Sequence, residues 1–461
     1  MAEAFDLIVI GAGPGGYEAA IEGAKKGMRT ALVENRQLGG TCLNRGCIPT
    51  KTILHTAELY HQLESGPSIG LETESAVVRM EAVWQRKEDV LAELRKGIAA
   101  MMKMNKISVY YGTGTILDKG HVKVALSEGE PAVLEASHIL IATGSVPSLP
   151  PIPGSDLPGV VTSDELLDKK ELFDHLIIIG GGVIGMEFAS IYSALGRPVT
   201  VIEAMDRILP AMDKEIAQNL KMILKKRNVD IHTGARVEEI RRAEDGSGLI
   251  CRYTEKEKSC EVKADGCLIA VGRRANTMGL ITEESRREIQ EIAMEKGCIT
   301  VDEHFMTSVP GIFAIGDVTG GIQLAHAATA QGRSAVAYIA GEAMEIRTDL
   351  IPACVYTSPE IGTVGISADQ AKAQGLSVVA KKYLMSANGK SVLSLQERGF
   401  IKVVADSDSH RILGAQMMCA RATDMISQFA VAIANGLTME DMAKTVFPHP
   451  TFSEGILEAL R

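Results

Sequence analysis

Two cysteines separated by four residues are the first positions in this chain whose types and spacing suggest chemistry. Cys42 and Cys47 lie in the stretch Gly39-Gly40-Thr41-Cys42-Leu43-Asn44-Arg45-Gly46-Cys47-Ile48-Pro49-Thr50-Lys51. On a regular helix, residues five apart are separated along the axis by about 7.5 Å, too far for an unstrained disulfide. Gly46 allows a local distortion that brings the sulfurs together, and a strained, accessible disulfide is readily reduced. The pair therefore reads as a redox couple; two reduced thiols that merely line a turn are the alternative. Lys51 lies four residues after Cys47, where its charge would stabilise a thiolate or an electron-rich ring beside it. Arg45, between the cysteines, is expected to favour a thiolate in the same way. Near the other end of the chain, His449 and Glu454 supply an imidazole beside a carboxylate. Thiol–disulfide exchange needs such a base, because only thiolates attack. Taken alone, a histidine of this kind is more often a surface loop residue. No second Cys or His pair has matching ligand spacing, so no metal site is expected.

The elements that must position these residues are written twice. Residues 7–34 align without a gap with residues 176–203. Each copy opens with a short aliphatic run suited to a strand buried on both faces. Gly-x-Gly-x-x-Gly follows, then a helical stretch, a closing glycine (Gly27, Gly196), a second aliphatic run and a terminal glutamate. In the first copy Gly11 permits the tight turn, Gly13 lets the backbone approach a pyrophosphate, and Gly16 lets helix pack on strand. The helix N-terminus then faces the anion. Glu34 is placed to accept hydrogen bonds from a ribose, and Gly180, Gly182, Gly185 and Glu203 repeat the arrangement. Two such β-α-β units imply two dinucleotides, and hydride chemistry commonly pairs a flavin with a nicotinamide. A carboxylate at Glu203 suits a free 2′-hydroxyl and repels a 2′-phosphate, which favours NAD over NADP.

Between the copies, residues 81–104 read as a helix. Residues 107–134 read as short strands with turns at 112–114 and 118–120, and residues 138–142 as a further strand. The proline-rich residues 147–158 read as a linker. Apolar strands return at 267–271 and 311–316. From residue 353 strands alternate with helices and no glycine fingerprint recurs, which marks a separate C-terminal domain. The fold class is α/β: two Rossmann-like dinucleotide-binding domains plus a C-terminal α+β interface domain.

Composition narrows the field. The chain has 461 residues, of which 46% are hydrophobic and 23% charged, the balance of a globular protein with several domains. Its formal charge of −10 repels phosphate backbones, so no nucleic-acid partner is expected. Eight cysteines are too few for a disulfide framework. No secretory signal or membrane-length apolar run is evident, and the cytoplasm is the expected location.

The paired fingerprints, the Cys42–Cys47 segment and the segment from His449 to Glu454 together resemble the pyridine nucleotide-disulfide oxidoreductases, over essentially the whole chain. The resemblance implies an FAD-binding domain (1–149), an NAD-binding domain (150–274), a central domain completing the FAD site (275–348) and a C-terminal dimerisation domain (349–461). It also implies a homodimer in which His449 serves the disulfide of the other subunit. Under it, Cys47 is the thiol next to the flavin and Cys42 the interchange thiol that meets substrate. His449 is the general base and Glu454 its orienting partner. Lys51 stands beside the flavin with Glu187 as its carboxylate partner. Asp317 holds the flavin ribityl chain. Gly114, Thr143, Gly144, Ser145 and the segment Gln323-Leu324-Ala325-His326 make further flavin contacts, while Val237 and Gly272 serve the NAD side. Within the family, Val183 stands where glutathione reductases carry a gating tyrosine, and no C-terminal cysteine pair is present. These features point to the branch that oxidises dihydrolipoyl groups with NAD⁺. Its partner would be a lipoyl-bearing acyltransferase or a glycine-cleavage carrier protein. An NADH-dependent reductase of another disulfide, resembling glutathione reductase, and a flavin redox sensor without turnover are the alternatives.

Overall fold

The computed structural model describes residues 3–64, 66–72, 74–282, 285, 292–396 and 398–461. The chain forms two compact units. The first comprises Met1–Thr52, Glu81–Ser148 and Gly272–Thr348; the second comprises Ile53–Met80, Leu149–Val271 and Asp349–Arg461. No helix among the described residues is long and apolar enough to cross a membrane.

In the first unit β1 (Glu3–Ile10) pairs in parallel with β2 (Thr30–Glu34) on one side and with Ala132–Ile141 on the other. Ile312–Ala314 continues the parallel sheet beyond Ala132–Ile141. Leu7, Ile8 and Val9 have no exposed surface, as expected of a strand covered on both faces. α1 (Pro14–Lys25) joins β1 to β2, begins with proline in its first turn and ends before Gly27 at φ +83°. A Cβ on Gly15 would lie 2.9 Å from the Ala328 carbonyl oxygen, and one on Gly332 would lie 2.7 Å from that of Gly15. α1 and the helix Ala325–Ile339 therefore cross at backbone distance, which only glycine allows.

Residues 112–114, expected as a turn, instead continue the strand Ser108–Ile116. A Cβ at Gly112 would lie 2.3 Å from the Ala125 carbonyl oxygen, so this glycine allows a close strand approach and not a chain reversal. The reversal falls at 118–120, where Asp118 Oδ1 accepts the Gly120 N–H at 2.8 Å.

The second unit repeats the β-α-β pattern as Leu176–Ile179, Val183–Ala194 and Val199–Glu203. Its parallel sheet runs, edge to edge, Val229–Thr233, Val199–Glu203, Leu176–Ile179, Gly266–Ile269, Val160–Thr162. A three-stranded antiparallel sheet covers residues 235–264. The C-terminal part is a five-stranded antiparallel sheet in the order Ala353–Val355, Ile361–Gly365, Ile412–Met418, Phe400–Asp406, Val378–Leu384. Val355, Ile361, Phe400 and Met418 share one core with Leu220 and Leu224 of the helix Lys214–Lys225. At that junction the Lys402 ammonium meets Asp213 at 3.0 Å and Glu215 at 2.9 Å.

The third fingerprint glycine of each copy is fixed by contact. A Cβ at Gly16 would sit 1.8 Å from the Gly11 carbonyl oxygen, and one at Gly185 would sit 2.1 Å from that of Gly180. Gly185→Ala is expected to destabilise the protein by about 1–3 kcal/mol or more, the cost of overpacking. Gly97, in the helix Met80–Met104, meets nothing within 4 Å of an added Cβ. Gly97→Ala should stabilise by about 0.5–1 kcal/mol. Urea denaturation of both variants tests the pair of signs.

Candidate active site

The cysteine segment is built against the first fingerprint. Gly39 and Gly40 have φ of +96° and +59°. The Gly39 N–H donates to the Ala12 carbonyl at 2.8 Å, and a Cβ on Gly40 would lie 2.5 Å from the Gly13 Cα. α2 (Gly40–Arg45), which carries Cys42, thus starts in direct backbone contact with the Gly-x-Gly turn. Buried Asn44 ties α2 down by donating from Nδ2 to the Leu38 and Gly40 carbonyls at 3.0 and 2.9 Å. Gly46, at φ −147° and ψ −109°, separates α2 from α3 (Cys47–Glu64). The helix is therefore interrupted between the cysteines, and the two side chains meet: the Cys42 thiol is hydrogen-bonded to Cys47.

That contact, together with burial, holds the Cys42 thiol well above its ordinary range, while the nearby Lys51 charge opposes it. Cys42 is half-buried and Cys47 exposed, and no disulfide joins them in this structure. Arg45, expected to assist a thiolate, donates from Nη1 to Gln37 Oε1 at 3.2 Å. Tyr17, on α1, is held above its usual range by burial, then by the charges of Glu18 and Cys42, so its phenol stays protonated beside the pair.

The two acidic residues that end the repeats occupy matching positions. Glu34 accepts the Ala12 N–H on Oε2 at 2.8 Å and the Arg36 N–H on Oε1 at 2.7 Å. Glu203 accepts the Gly181 N–H on Oε2 at 2.5 Å and the Met205 N–H on Oε1 at 2.6 Å. They are 7% and 8% exposed. Each oxygen has a second lone pair, so each carboxylate can still accept a ribose hydroxyl. Gly11 and Gly180 have φ of +104° and +111°, and their Cβ atoms would each lie 2.4 Å from a neighbouring strand carbonyl. The helices begin at Gly13 and Gly182 with no side chain capping their free N–H groups. Gly182, Gly144 and Gly272 meet nothing within 4 Å of an added Cβ. An uncapped helix end, open space and a fixed acid fit a dinucleotide in each copy.

Other residues singled out in the sequence fall as follows. In the first unit Gly114 is buried, and its Cβ would touch Ile10 and Val33 at 3.2 and 3.3 Å. Thr143 Oγ1 donates to the Asn276 carbonyl at 2.7 Å. Asp317 lies in the short helical turn Gly316–Thr319 and accepts the Ser145 hydroxyl at 2.5 Å. Gln323 and His326 are exposed around the start of the helix Ala325–Ile339, with Leu324 at its N-cap. In the second unit, buried Glu187 lies on Val183–Ala194 and accepts the Tyr356 N–H at 3.1 Å. Val237 is in the strand Ala235–Arg242 and packs against that domain's core. His449 Nδ1 is 2.9 Å from Glu454 Oε1, and the imidazole side chain is 78% exposed. The Thr451 N–H, which donates to Oε2 at 2.8 Å, and then His449 hold the Glu454 carboxyl below its usual range. With Nδ1 engaged by the Glu454 carboxylate, Nε2 is the ring nitrogen left to exchange a proton.

Sequence reasoning missed Arg273, whose Nε donates to Ser145 Oγ at 2.8 Å, and Asn44. The only local signal for Arg273 was its place directly after Gly272. Among the described residues no group of three or more His, Cys, Asp or Glu is placed to hold a metal.

Because the Lys51 charge lowers Cys42, Lys51→Met should move the alkylation midpoint of the reduced pair to higher pH, and Lys51→Arg should restore it. The pH dependence of iodoacetamide labelling, with peptide mapping of Cys42, measures both.

Known proteins resemble this chain along almost its whole length. The model of the pyridine nucleotide-disulphide oxidoreductase family matches residues 5–332, and the model of its dimerisation domain matches residues 351–460. A dihydrolipoyl dehydrogenase of Bacillus subtilis is 40% identical, the alignment covering 100% of this chain and 98% of the relative. One of Chlamydia muridarum is 38% identical over 98% and 96% of the two chains. Among solved structures, LpdA from Mycobacterium tuberculosis matches with a TM-score of 0.90 at 29% identity over 99% of each chain. The HOCl-induced flavoprotein disulfide reductase RclA of Escherichia coli matches with a TM-score of 0.86 at 31% identity, again over 99% of each. FAD and NAD(H) are accordingly the cofactors, and the C-terminal sheet is a dimerisation domain. With its two nucleotide folds, its cysteine pair and matches along almost its whole length, the chain belongs to the pyridine nucleotide-disulphide oxidoreductase family.

Proposed function

We propose that this protein oxidises a dihydrolipoyl dithiol to the cyclic disulfide with reduction of NAD⁺ to NADH. The observation that carries the reading is the contact between Cys42 and Cys47 at the edge of the first nucleotide fold. Dihydrolipoyl dehydrogenases among its relatives, 36–40% identical along nearly the full chain, support the choice of dithiol.

The reaction starts from the oxidised pair, a Cys42–Cys47 disulfide. His449 Nε2, with Nδ1 held by Glu454, takes a proton from one dihydrolipoyl thiol. The resulting thiolate attacks Cys42 Sγ; the bond to Cys47 breaks and Cys47 leaves as thiolate. The second dihydrolipoyl thiol, deprotonated in turn, attacks the lipoyl sulfur of this mixed disulfide. Cys42 leaves and is protonated, and the cyclic disulfide departs. Two electrons have passed from the dithiol to the cysteine pair. Burial and the Cys47 contact both favour a protonated Cys42, so the base is needed whenever Cys42 has to attack in the reverse direction. FAD and NAD⁺, when bound, supply the two-electron oxidation that returns the pair to its disulfide. Asp317 is assigned to the polyhydroxylated chain of the flavin, and Lys51 and Glu187 take the roles the resemblance gives them. Glu203 is assigned to the NAD ribose and selects against a 2′-phosphate.

The dimerisation domain supports a homodimer, in which the partner subunit's His449 serves the cysteine pair of the first. The physiological donor is a lipoyl group on an acyltransferase or a glycine-cleavage carrier. A reducing compartment such as the cytoplasm suits chemistry that cycles through free dithiols.

NAD⁺ reduction with dihydrolipoamide as sole donor is the direct assay. Cys42→Ser and Cys47→Ser should each abolish turnover with FAD still bound, and His449→Gln should lower it by about 10²–10⁴-fold. Normal turnover in either serine variant, or a preference for glutathione disulfide with NADH over lipoamide, would overturn the reading.

A further inference from the structure

Ser145, Arg273 and Asp317 come from three places in the first unit, and their donor and acceptor properties leave one arrangement of protons. Ser145 is 6% exposed and pairs with Ala275 in a two-stranded ladder that also carries Arg273. Arg273 Nε donates to Ser145 Oγ at 2.8 Å, and Nη2 donates to the Ser145 carbonyl at 2.9 Å. A guanidinium has donors and no acceptor. Ser145 must therefore accept from it, and its own hydrogen goes to Asp317 Oδ2, 2.5 Å away. The same two-pronged contact fixes the Ser145 backbone and with it the position of Oγ. The turn that carries Asp317 is held separately. The Gly316 N–H donates to Gln331 Oε1 at 2.7 Å, and Thr319 Oγ1 donates to the Gly316 carbonyl at 2.8 Å.

We infer that Arg273 and Ser145 are positioning residues that lock the Asp317 carboxylate through a guanidinium–hydroxyl–carboxylate relay, leaving its other oxygen to accept a hydroxyl of the flavin's polyhydroxylated chain. This rests on the assignment of Asp317 to the flavin made above, and gives Ser145 an indirect role in place of a flavin contact. Hydrogen bonds in series polarise one another. The Arg273 charge therefore strengthens the Ser145 donor, and that donor takes up Oδ2 so that the carboxylate does not turn.

The test is FAD release from the full-length holoprotein on serial dilution, followed by flavin fluorescence. Losing one charge-assisted hydrogen bond weakens binding by about tenfold or more, which is expected for Asp317→Ala. Ser145→Ala and Arg273→Gln should weaken FAD binding several-fold, and Ser145→Thr, which keeps the hydroxyl, should restore it. In the Asp317→Ala background neither change should add a further loss. The inference is overturned if Ser145→Ala and Arg273→Gln bind FAD like the parent while Asp317→Ala is weakened. It is also overturned if their losses add in full to that of Asp317→Ala, or if Ser145→Thr behaves like Ser145→Ala. No change in Asp317→Ala would remove the flavin assignment itself and the relay with it. Should Arg273→Gln not yield folded protein, the Ala and Thr variants at Ser145 decide.

Discussion

The contact of Gly40 on Gly13 sets the geometry of the redox centre. It brings the backbone of the cysteine segment against the turn of the first nucleotide fold, with no room for a side chain between them. Two consequences follow from that single approach. Cys42 is carried by a helix whose start is anchored to the Gly-x-Gly turn, so the thiol pair and the first nucleotide fold share one frame. The helix must then break before Cys47, because an uninterrupted helix would hold the sulfurs apart along its axis. Gly46 supplies that break, and the thiols meet.

Charge placement follows the same economy. Each nucleotide fold ends its second strand with a buried glutamate that accepts two backbone N–H groups, one from the fingerprint turn and one from the loop after the strand. Two backbone donors on separate oxygens fix the orientation of each carboxylate. At the cysteine pair, burial and the neighbouring sulfur favour the protonated thiol, and the Lys51 charge pulls the other way. The site is thereby poised to depend on an external base. His449, exposed on the dimerisation domain and paired with the half-buried Glu454, is the base proposed above.

Much of this was legible in the residues because the constraints behind it are local and steric. A glycine at positive φ or against a carbonyl cannot be replaced, so the two fingerprints kept their spacing and declared both nucleotide folds. The five-residue step between cysteines declared the helix break. What stayed hidden was long-range. Ser145 meets Asp317 across 172 residues and Arg273 across 128, and no pattern in the sequence pairs them. The Lys51 charge, by contrast, was legible from its place four residues after Cys47, and it lowers Cys42. Gly112 looked like a turn because glycine serves turns and close strand approaches alike, and only the partner strand distinguishes them.

Electron entry through the cysteines is best tested by labelling. Oxidised enzyme is treated anaerobically with dihydrolipoamide in the absence of NAD⁺, quenched with an alkylating reagent, and mapped by mass spectrometry against an untreated control. Labelling should appear at Cys42 and Cys47 only after treatment, with the other cysteines unchanged. Enzyme that goes on to reduce NAD⁺ while Cys42 and Cys47 label no more than in the control would contradict it.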